Sequence, residues 1–464
     1  MEKVILVHPS DETEFTVWPL ACLFLASFLL REGFKVLIFD HNEEKDFVSF
    51  FEENIEDTIC IGISSITGTQ IRNGLKIAQL IRKLSPQTPL VWGGRHPSAL
   101  PGETLEHPLV DIVVRGEGEE TFLELVKAIS RGSSLDNIPG ISYKKNGRII
   151  HNMDRPPLNL DNFPILPWHL LDLEKKLSRE YDRSISFQTG RGCPYACTFC
   201  SHKKVKRERY RGFSASYILD NIEPLIKRYN IRKVNFFEPF FTTTPRRIKE
   251  ICEEIIRREL DIEWNASARA NTFSKFDEET LRLLRASGCE QLTFGFESGS
   301  PRVLKLINKR ATVEESIKSV KLCHRYGIVP DACFMTGFPF ETLRDTVETL
   351  RVISRMIKEC PELILHLQGY MPLPATLLYE ECVKKYGLKR LSSLEDWGDI
   401  EKWKDLRPWL PWWKKVMVKL LRGTIYASSL KYLRKRKDLK FRYVLHTLVR
   451  LFYRLIGFLG GLKK

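Results

Sequence analysis

Residues Ser184-Ile185-Ser186-Phe187-Gln188-Thr189 read as a β-strand and run directly into Gly190-Arg191-Gly192-Cys193-Pro194-Tyr195-Ala196-Cys197-Thr198-Phe199-Cys200. The second stretch sets three cysteines in the pattern Cys-x3-Cys-x2-Cys on a Gly-rich loop. Thiolates this close suit a ligand the size of an iron–sulfur cluster, because such a loop can wrap it and turn N–H groups toward its sulfurs. Four cysteines would close a 4Fe-4S cluster; three leave one iron open to a substrate or cofactor. Two other readings compete, a structural zinc site with His202 as fourth ligand and a chance grouping among the eleven cysteines. Zinc usually takes paired ligands from two separated arms, and no second Cys/His pair stands out downstream. Chance would not set the group directly behind a strand. The expected metal ligands are therefore Cys193, Cys197 and Cys200.

On the N-terminal side, short β-branched runs recur at Lys3–His8, Lys35–Asp40, Ile59–Ser64, Pro89–Trp92 and Asp111–Val114. Nearly continuous apolar character is what strands buried on both faces of a parallel sheet require. Helix-length segments such as Pro19–Glu32 and Gln70–Leu84 separate them, so residues 1–150 predict a doubly wound sheet. Such sheets bind ligands beyond the carboxyl ends of their strands. Here those ends carry Ser64-Ser65-Ile66-Thr67-Gly68, Gly93-Gly94-Arg95-His96-Pro97 and Gly116-Glu117-Gly118-Glu119. Glycines there admit a large ligand close to the backbone, and the hydroxyls can bond amides or phosphate; the plainer reading is that these are ordinary turns. No G-x-G-x-x-G follows the first strand, which disfavours a nicotinamide dinucleotide.

A chain of 464 residues exceeds what one core supports, so two to four domains are expected. A composition of 43% hydrophobic and 28% charged residues excludes wholesale disorder. No apolar run approaches the ~18–20 residues of a spanning helix, and Met1-Glu2-Lys3 passes straight into the first strand, so no signal peptide is expected. Eleven scattered cysteines point to a reducing compartment. The formal charge of +15 is concentrated: residues 402–464 hold 18 Lys+Arg against Asp405 and Asp438, a local +16, which leaves −1 for everything before.

The cysteine loop, with aromatic Phe199 before its third cysteine, resembles the signature of the radical S-adenosylmethionine (SAM) enzymes, and the likeness covers roughly residues 1–380. In that superfamily SAM chelates the open iron, and its reductive cleavage yields a 5′-deoxyadenosyl radical. Further strands at Lys233–Phe237, Glu263–Ala268, Gln291–Phe296, Val329–Met335 and Leu363–Tyr370, with helices at 216–229, 245–259, 278–287, 313–326 and 343–358, give six β/α units, resembling an open partial TIM barrel. The resemblance implies SAM contacts at Phe199, at Glu238 after the second strand, at Ser267 and Arg269 after the third, at Glu297 after the fourth and at Gly337 after the fifth. Phe340 stands where a second Gly is usual in that last turn.

A doubly wound domain before such a barrel resembles the cobalamin-binding branch, as do Gly93-Gly94-x-His96-Pro97-Ser98, Gly116-Glu117-Gly118-Glu119, Ile138-Pro139-Gly140-Ile141 and Leu160-Asp161-x-x-Pro164. It implies cobalamin contacts at Ser64, Ser65, Thr67, Gly93, Gly94, His96, Gly116 and Glu117. The Asp-x-His-x-x-Gly motif that supplies an axial His in many cobalamin proteins is absent, so no cobalt ligand is assigned. The fold expected is α/β: a Rossmann-like cobalamin-binding domain (1–150), a linker (151–180), an open (β/α)6 partial barrel (181–385) and a basic, Trp-rich helical region (386–464). The activity implied is modification of an unactivated carbon, with C-methylation first, radical ring formation or contraction or oxidative cyclisation as the alternative, and a cobalamin sensor without radical chemistry as the second. A low-potential donor such as ferredoxin or flavodoxin would supply electrons.

In the tail, Phe441, Leu445, Leu448, Phe452, Leu455 and Leu459 follow helical spacing, with Arg442, His446, Arg450 and Arg454 forming a basic stripe. Such a helix suits a membrane interface; packing on the barrel or a partner, and RNA binding, are the competing readings, with nucleic acid disfavoured. A cytoplasmic enzyme attached peripherally to a membrane would fit an apolar, lipid-like substrate.

Overall fold

The computed structural model describes residues 2–12, 17–179, 182–201, 209–399, 407–412 and 414–415. Compactness divides the chain into a first unit of Met1–Pro194, Phe199–Asn235 and Pro372–Arg407, and a second of Tyr195–Thr198, Phe236–Met371 and the described residues from Pro408 on.

The first unit is built on a seven-stranded sheet: β1 (Lys3–His8), β2 (Lys35–Asp40), β3 (Thr58–Ser64), β4 (Leu90–Gly93), β5 (Ile112–Val114), β6 (Ile141–Lys145) and β7 (Arg148–His151), in the spatial order β2-β1-β3-β4-β5-β6-β7. The first five pair in parallel. Val4 to Val7 of β1 are wholly buried, as a strand covered on both faces must be. The order reverses between β1 and β3, the switch point beside which doubly wound sheets bind ligands. The five parallel strands lie within two residues of the runs predicted from sequence. The antiparallel pair β6–β7 was not foreseen, although its turn, Asn146-Gly147 with φ of 51° and 73°, is the strongest short hairpin signal.

Continuing along the chain, β8 (Ser184–Gln188) leads to the two-residue strands β9 (Gly190–Arg191) and β10 (Arg211–Gly212), which pair antiparallel. The second large sheet runs β15-β14-β13-β12-β11-β8, in which β11 is Lys233–Phe237, β12 Glu263–Ala268, β13 Cys289–Glu297, β14 Val329–Thr336 and β15 Ile364–Gly369. Its space order follows chain order, and β12 to β15 are parallel, as β/α repeats produce. Capping sets the helix starts: Thr312 with Glu315, and Thr342 with Asp345, form reciprocal capping boxes. Cys22, Cys60, Cys252, Cys289, Cys323, Cys360 and Cys382 are all buried, where a free cysteine packs as a small apolar residue. Among the described residues no helix is long and apolar enough to cross a membrane.

After β15 the chain returns to the first unit. Helices Leu377–Lys385 and Leu394–Gly398 follow, and Gly398 lies against the backbone of Arg72, so that a Cβ there would stand 3.1 Å from Arg72 N.

One buried charge fixes the linker to the first sheet. Lys176, 1% exposed, donates from Nζ to Asp40 Oδ2 at 2.7 Å and Glu43 Oε1 at 3.2 Å, and lies 5.3 Å from the Trp18 ring centre. Removing one member of a buried ion pair strands the other, at a cost of ~3–5 kcal/mol. Lys176→Met should lower the unfolding free energy read from urea titration of the full chain by that order, shifting the midpoint down, and adding Asp40→Asn should recover part of the loss. An unchanged midpoint would show that water already screens the pair.

Candidate active site

The carboxyl ends of β3 and β4 meet backbone to backbone. Ser65, fully buried, donates its N–H to Gly93 O at 2.9 Å and accepts from His96 N at 3.3 Å. Gly94 has φ +95°, and a Cβ there would stand 2.5 Å from Ser65 O, so only glycine allows this approach. Next to it, Thr67 Oγ1 is 3.1 Å from His96 Nδ1, and the Trp397 ring lies 5.8 Å from the imidazole. Two polar atoms in this cluster, Ser65 Oγ and His96 Nε2, are buried without a hydrogen-bond partner among the described residues. Burial pushes His96 down to about 3, so it is neutral at neutral pH. Gly116, after β5, has φ +74° with open space beside it and donates to Ser98 Oγ at 3.0 Å. Ser64 and Gly93 are half-buried at their strand ends.

Glu117 behaves differently from its neighbours. Its oxygens accept from Arg211 Nη2 at 2.5 Å and from Leu158 N at 3.2 Å, and Arg191 Nη1 lies 3.6 Å away. Its carboxylate is thus engaged within the chain, as is that of Glu119, which accepts from Arg191 Nη2 at 2.6 Å. Sequence reading missed Arg191 and Arg211 as partners, since nothing local signals a contact 94 residues distant.

The cysteine loop leaves the β9–β10 ladder at Gly192, φ +82°. Cys193 and Cys200 are half-buried, as is Phe199. The exposed Arg95 guanidinium stands within electrostatic reach of Cys200. His202, the fourth ligand of the zinc alternative, lies outside the described residues. Cys197 is buried, and Arg269 Nη1 donates to its sulfur at 3.7 Å. The loop's middle is held by three further bonds: Asn271 Nδ2 to Tyr195 OH at 2.6 Å, Asn308 Nδ2 to Ala196 O at 2.9 Å, and Thr198 N to Ile307 O at 3.0 Å.

In the second unit, polar groups cluster at the ends of successive strands, where barrel chemistry is usually placed. Glu238, just past β11, is 3% exposed with Arg247 Nη2 3.9 Å away. Ser267 is half-buried near the end of β12, and Arg269 follows that strand. Glu297 closes β13 in the left-handed region, φ 65°, and accepts from Lys309 Nζ at 2.8 Å. Its carboxylate folds back over Gly295, where a Cβ would stand 2.4 Å from Glu297 Oε1. After β14, Gly337 (φ +86°) and Phe338 both donate N–H groups to Glu341, which also accepts from Thr336 and Thr346. The Trp-rich segment touches this turn: Trp409 Nε1 donates to Gly337 O at 3.0 Å and Lys414 Nζ to Glu341 O at 3.0 Å. The amphipathic pattern at 441–459 lies outside the described residues.

Elsewhere His324, Cys360 and Glu362 bring ligand-type atoms within 4.8 Å of one another. Ordinary hydrogen bonds to Glu362 from both neighbours account for them, and desolvation pushes the Cys360 thiol up to about 12.

The buried imidazole has a measurable consequence. An unfolded histidine titrates near ~6.5, whereas His96 in the folded chain titrates near about 3. Between those values only the unfolded state takes the proton, so stability falls as pH drops below the unfolded value. At ~1.4 kcal/mol per unit, the wild type should lose roughly 2 kcal/mol relative to His96→Gln between pH 6.5 and 5. Paired urea titrations would read this, and a gap independent of pH would contradict it.

Two family models match the chain, the radical SAM superfamily over residues 187–353 and the B12 binding domain over residues 10–126. An uncharacterized methyltransferase of Pyrococcus horikoshii, PH0819, is 33% identical over 391 residues, covering 82% of this chain and 83% of the relative. The anaerobic magnesium-protoporphyrin IX monomethyl ester cyclase of Rubrivivax gelatinosus is 29% identical, covering 82% and 70%. The cobalamin-dependent SAM radical enzyme OxsB, solved with aqua-cobalamin and SAM bound, shares the fold at TM-score 0.79 and 20% identity, covering 99% of this chain and 72% of that one. Parallel sheets, a three-cysteine loop and polar strand ends thus sit in a chain that both family models match: it belongs to the cobalamin-dependent radical SAM methyltransferase and cyclase family, whose cofactors are a 4Fe-4S cluster, SAM and cobalamin and which acts on a small molecule with an external reductant.

Proposed function

We propose that this enzyme methylates an unactivated carbon of a small-molecule substrate. The observation that carries the reading is the methyltransferase relative, matched over more than four-fifths of both chains. Oxidative ring closure is the second reading, favoured by the likeness to the Rubrivivax cyclase; shared architecture does not choose between the two.

The donor set fits the cofactors. Cys193, Cys197 and Cys200 would hold the cluster, three thiolates leaving one iron for SAM. Phe199, Glu238, Ser267, Glu297 and Gly337 would line the SAM site; the two carboxylates suit an amine and ribose hydroxyls, and Glu341 keeps the Gly337 turn open by binding its N–H groups. Ser64, Ser65, Thr67, Gly93, Gly94, His96 and Gly116 would form the cobalamin cradle, supported by the buried Ser65 hydroxyl and His96 nitrogen that the chain itself leaves unbonded. Glu117 is better read as a clamp on Arg211 and the backbone of Leu158. Bound together, the cofactors supply hydrogen abstraction and the methyl group. The chain supplies orientation, and fixing reactants against one carbon is worth ~7–11 kcal/mol.

The finer assignments extend this reading. The helical spacing of Phe441 to Leu459, with its basic stripe, supports an apolar, lipid-like substrate reached by a cytoplasmic enzyme bound peripherally to a membrane. The full chain should then pellet with anionic liposomes at low salt and release at high salt; indifference to liposomes would remove the membrane assignment alone.

The deciding experiment is anaerobic reconstitution with iron, sulfide and hydroxocobalamin, beside a Cys193/Cys197/Cys200→Ala triple variant. Roughly four irons per chain are expected in the wild type and none in the variant, with cobalamin retained by both. Cluster without cobalamin would end the methyl-transfer reading. Cobalamin without cluster would favour a sensor.

A further inference from the structure

Arg269 is a buried cation whose counter-charge is missing. It is 7% exposed, and among the described residues no carboxylate lies within ion-pair distance of it, whereas Lys176, Arg191 and Lys309, the other deeply buried cations described above, each have one. A charge removed from water without a partner is costly. The guanidinium is nonetheless held rigidly. Its backbone N–H donates to Thr242 Oγ1 at 3.1 Å, Nε donates to Asn271 Oδ1 at 3.3 Å, and Nη2 donates to Lys309 O. Its carbon lies 3.6 Å from the centre of the Tyr195 ring, a cation–π contact, and Tyr195 is itself fixed by Asn271. With Nε and Nη2 engaged in this way, Nη1 is aimed at Cys197 Sγ.

We propose that Arg269 is a positioning residue for the cluster: its guanidinium, pinned against the Cys197 sulfur, supplies the cationic hydrogen bond that raises the cluster's reduction potential. The proposal rests on the cluster assignment above. One-electron reduction by the external donor adds a negative charge to the cluster. A fixed cation beside one of its ligands stabilises the reduced form more than the oxidised form, and hydrogen bonds to cluster sulfurs act in the same direction. The thiolate and the cluster in turn provide the anion that Arg269 lacks. This differs from the contact that the family resemblance implies, in which the same side chain meets the carboxylate of SAM. Lysine could keep the charge, but it has neither the planar face that stacks on Tyr195 nor the fork that reaches Asn271, Lys309 and Cys197 together.

The test is an EPR-monitored redox titration of the reconstituted full chain without SAM, comparing wild type, Arg269→Gln and Arg269→Lys, with Asn271→Ala as a variant that releases Tyr195 and the Nε bond of Arg269 but keeps the charge. Iron and cobalamin content should match the wild type. At the wild-type midpoint potential the reduced fraction should fall several-fold in Arg269→Gln, less in Arg269→Lys and least in Asn271→Ala. Coincident midpoints for wild type and Arg269→Gln would overturn the proposal; if SAM then no longer perturbs the variant's EPR signal, Arg269 is a SAM ligand instead. Should Arg269→Gln assemble no cluster, Arg269→Lys decides, a negative shift supporting the proposal and coincidence with wild type refuting it. A wild type without a cluster would bring down the functional reading as well, whereas coincident midpoints bring down this proposal alone.

Discussion

The position of the cysteine loop depends on one buried guanidinium. Arg191, two residues before Cys193, is 6% exposed, and its carbon lies 4.9 Å from the ring centres of both Phe24 and Phe163. Burial works against its charge, but Glu119 at 2.6 Å and Glu117 at 3.6 Å more than offset this, leaving its pKa above that of an ordinary arginine. Four separate segments converge on it: the helix carrying Phe24, the start of the helix at Glu119, the linker at Phe163 and, through Glu117, Arg211 on the facing strand. A buried charge with this many partners has one stable arrangement, because displacing any of them strands the rest. The backbone on either side of Arg191 must then pass through fixed points. The loop can be Gly-rich and open while its starting point remains fixed.

What could be read from the sequence follows from how local each signal is. The three cysteines fall within eight residues, so their chemistry was legible without any fold. Parallel strands were legible because burial on both faces leaves an unbroken apolar run, and β11 and β12 were placed to the residue. The β6–β7 hairpin was missed although Asn146-Gly147 announces it: its second strand is half exposed and lacks that apolar run. Glu117 was legible as a strand-end residue, but its arginine partners were not. A carboxylate after a parallel strand looks the same whether it faces a ligand or an arginine, and its arginine is far along the chain. Arg269 presents the same limit. Its position after β12 was evident, but the direction of its guanidinium is set by Asn271, Lys309 and Tyr195 acting together.

The charges at the strand ends show an asymmetry that bears on how such a site can work. The carboxylates are internally answered: Glu297 by Lys309, Glu341 by four donors and Lys414, Glu238 by Arg247 at the edge of reach, and Glu117 by Arg191 and Arg211. Each is therefore held in place by the chain itself, and a ligand's amine or hydroxyl that reached Glu238 or Glu297 would meet a preformed acceptor with no reorganisation to offset. Beside these carboxylates stand the Nε2 of a neutral His96 and the hydroxyl of Ser65, both buried without a hydrogen-bond partner among the described residues, and the cation of Arg269, which has no carboxylate within ion-pair distance among them. A folded chain tolerates few such groups because each costs ~1–3 kcal/mol when buried unbonded. One of these lies beside a cysteine sulfur and the other two at the ends of β3 and β4. The first calls for an anion and the others for a polar, largely uncharged surface. A thiolate-bound cluster and the polar rim of a corrin would meet those demands, so these groups suit the cofactors of the family.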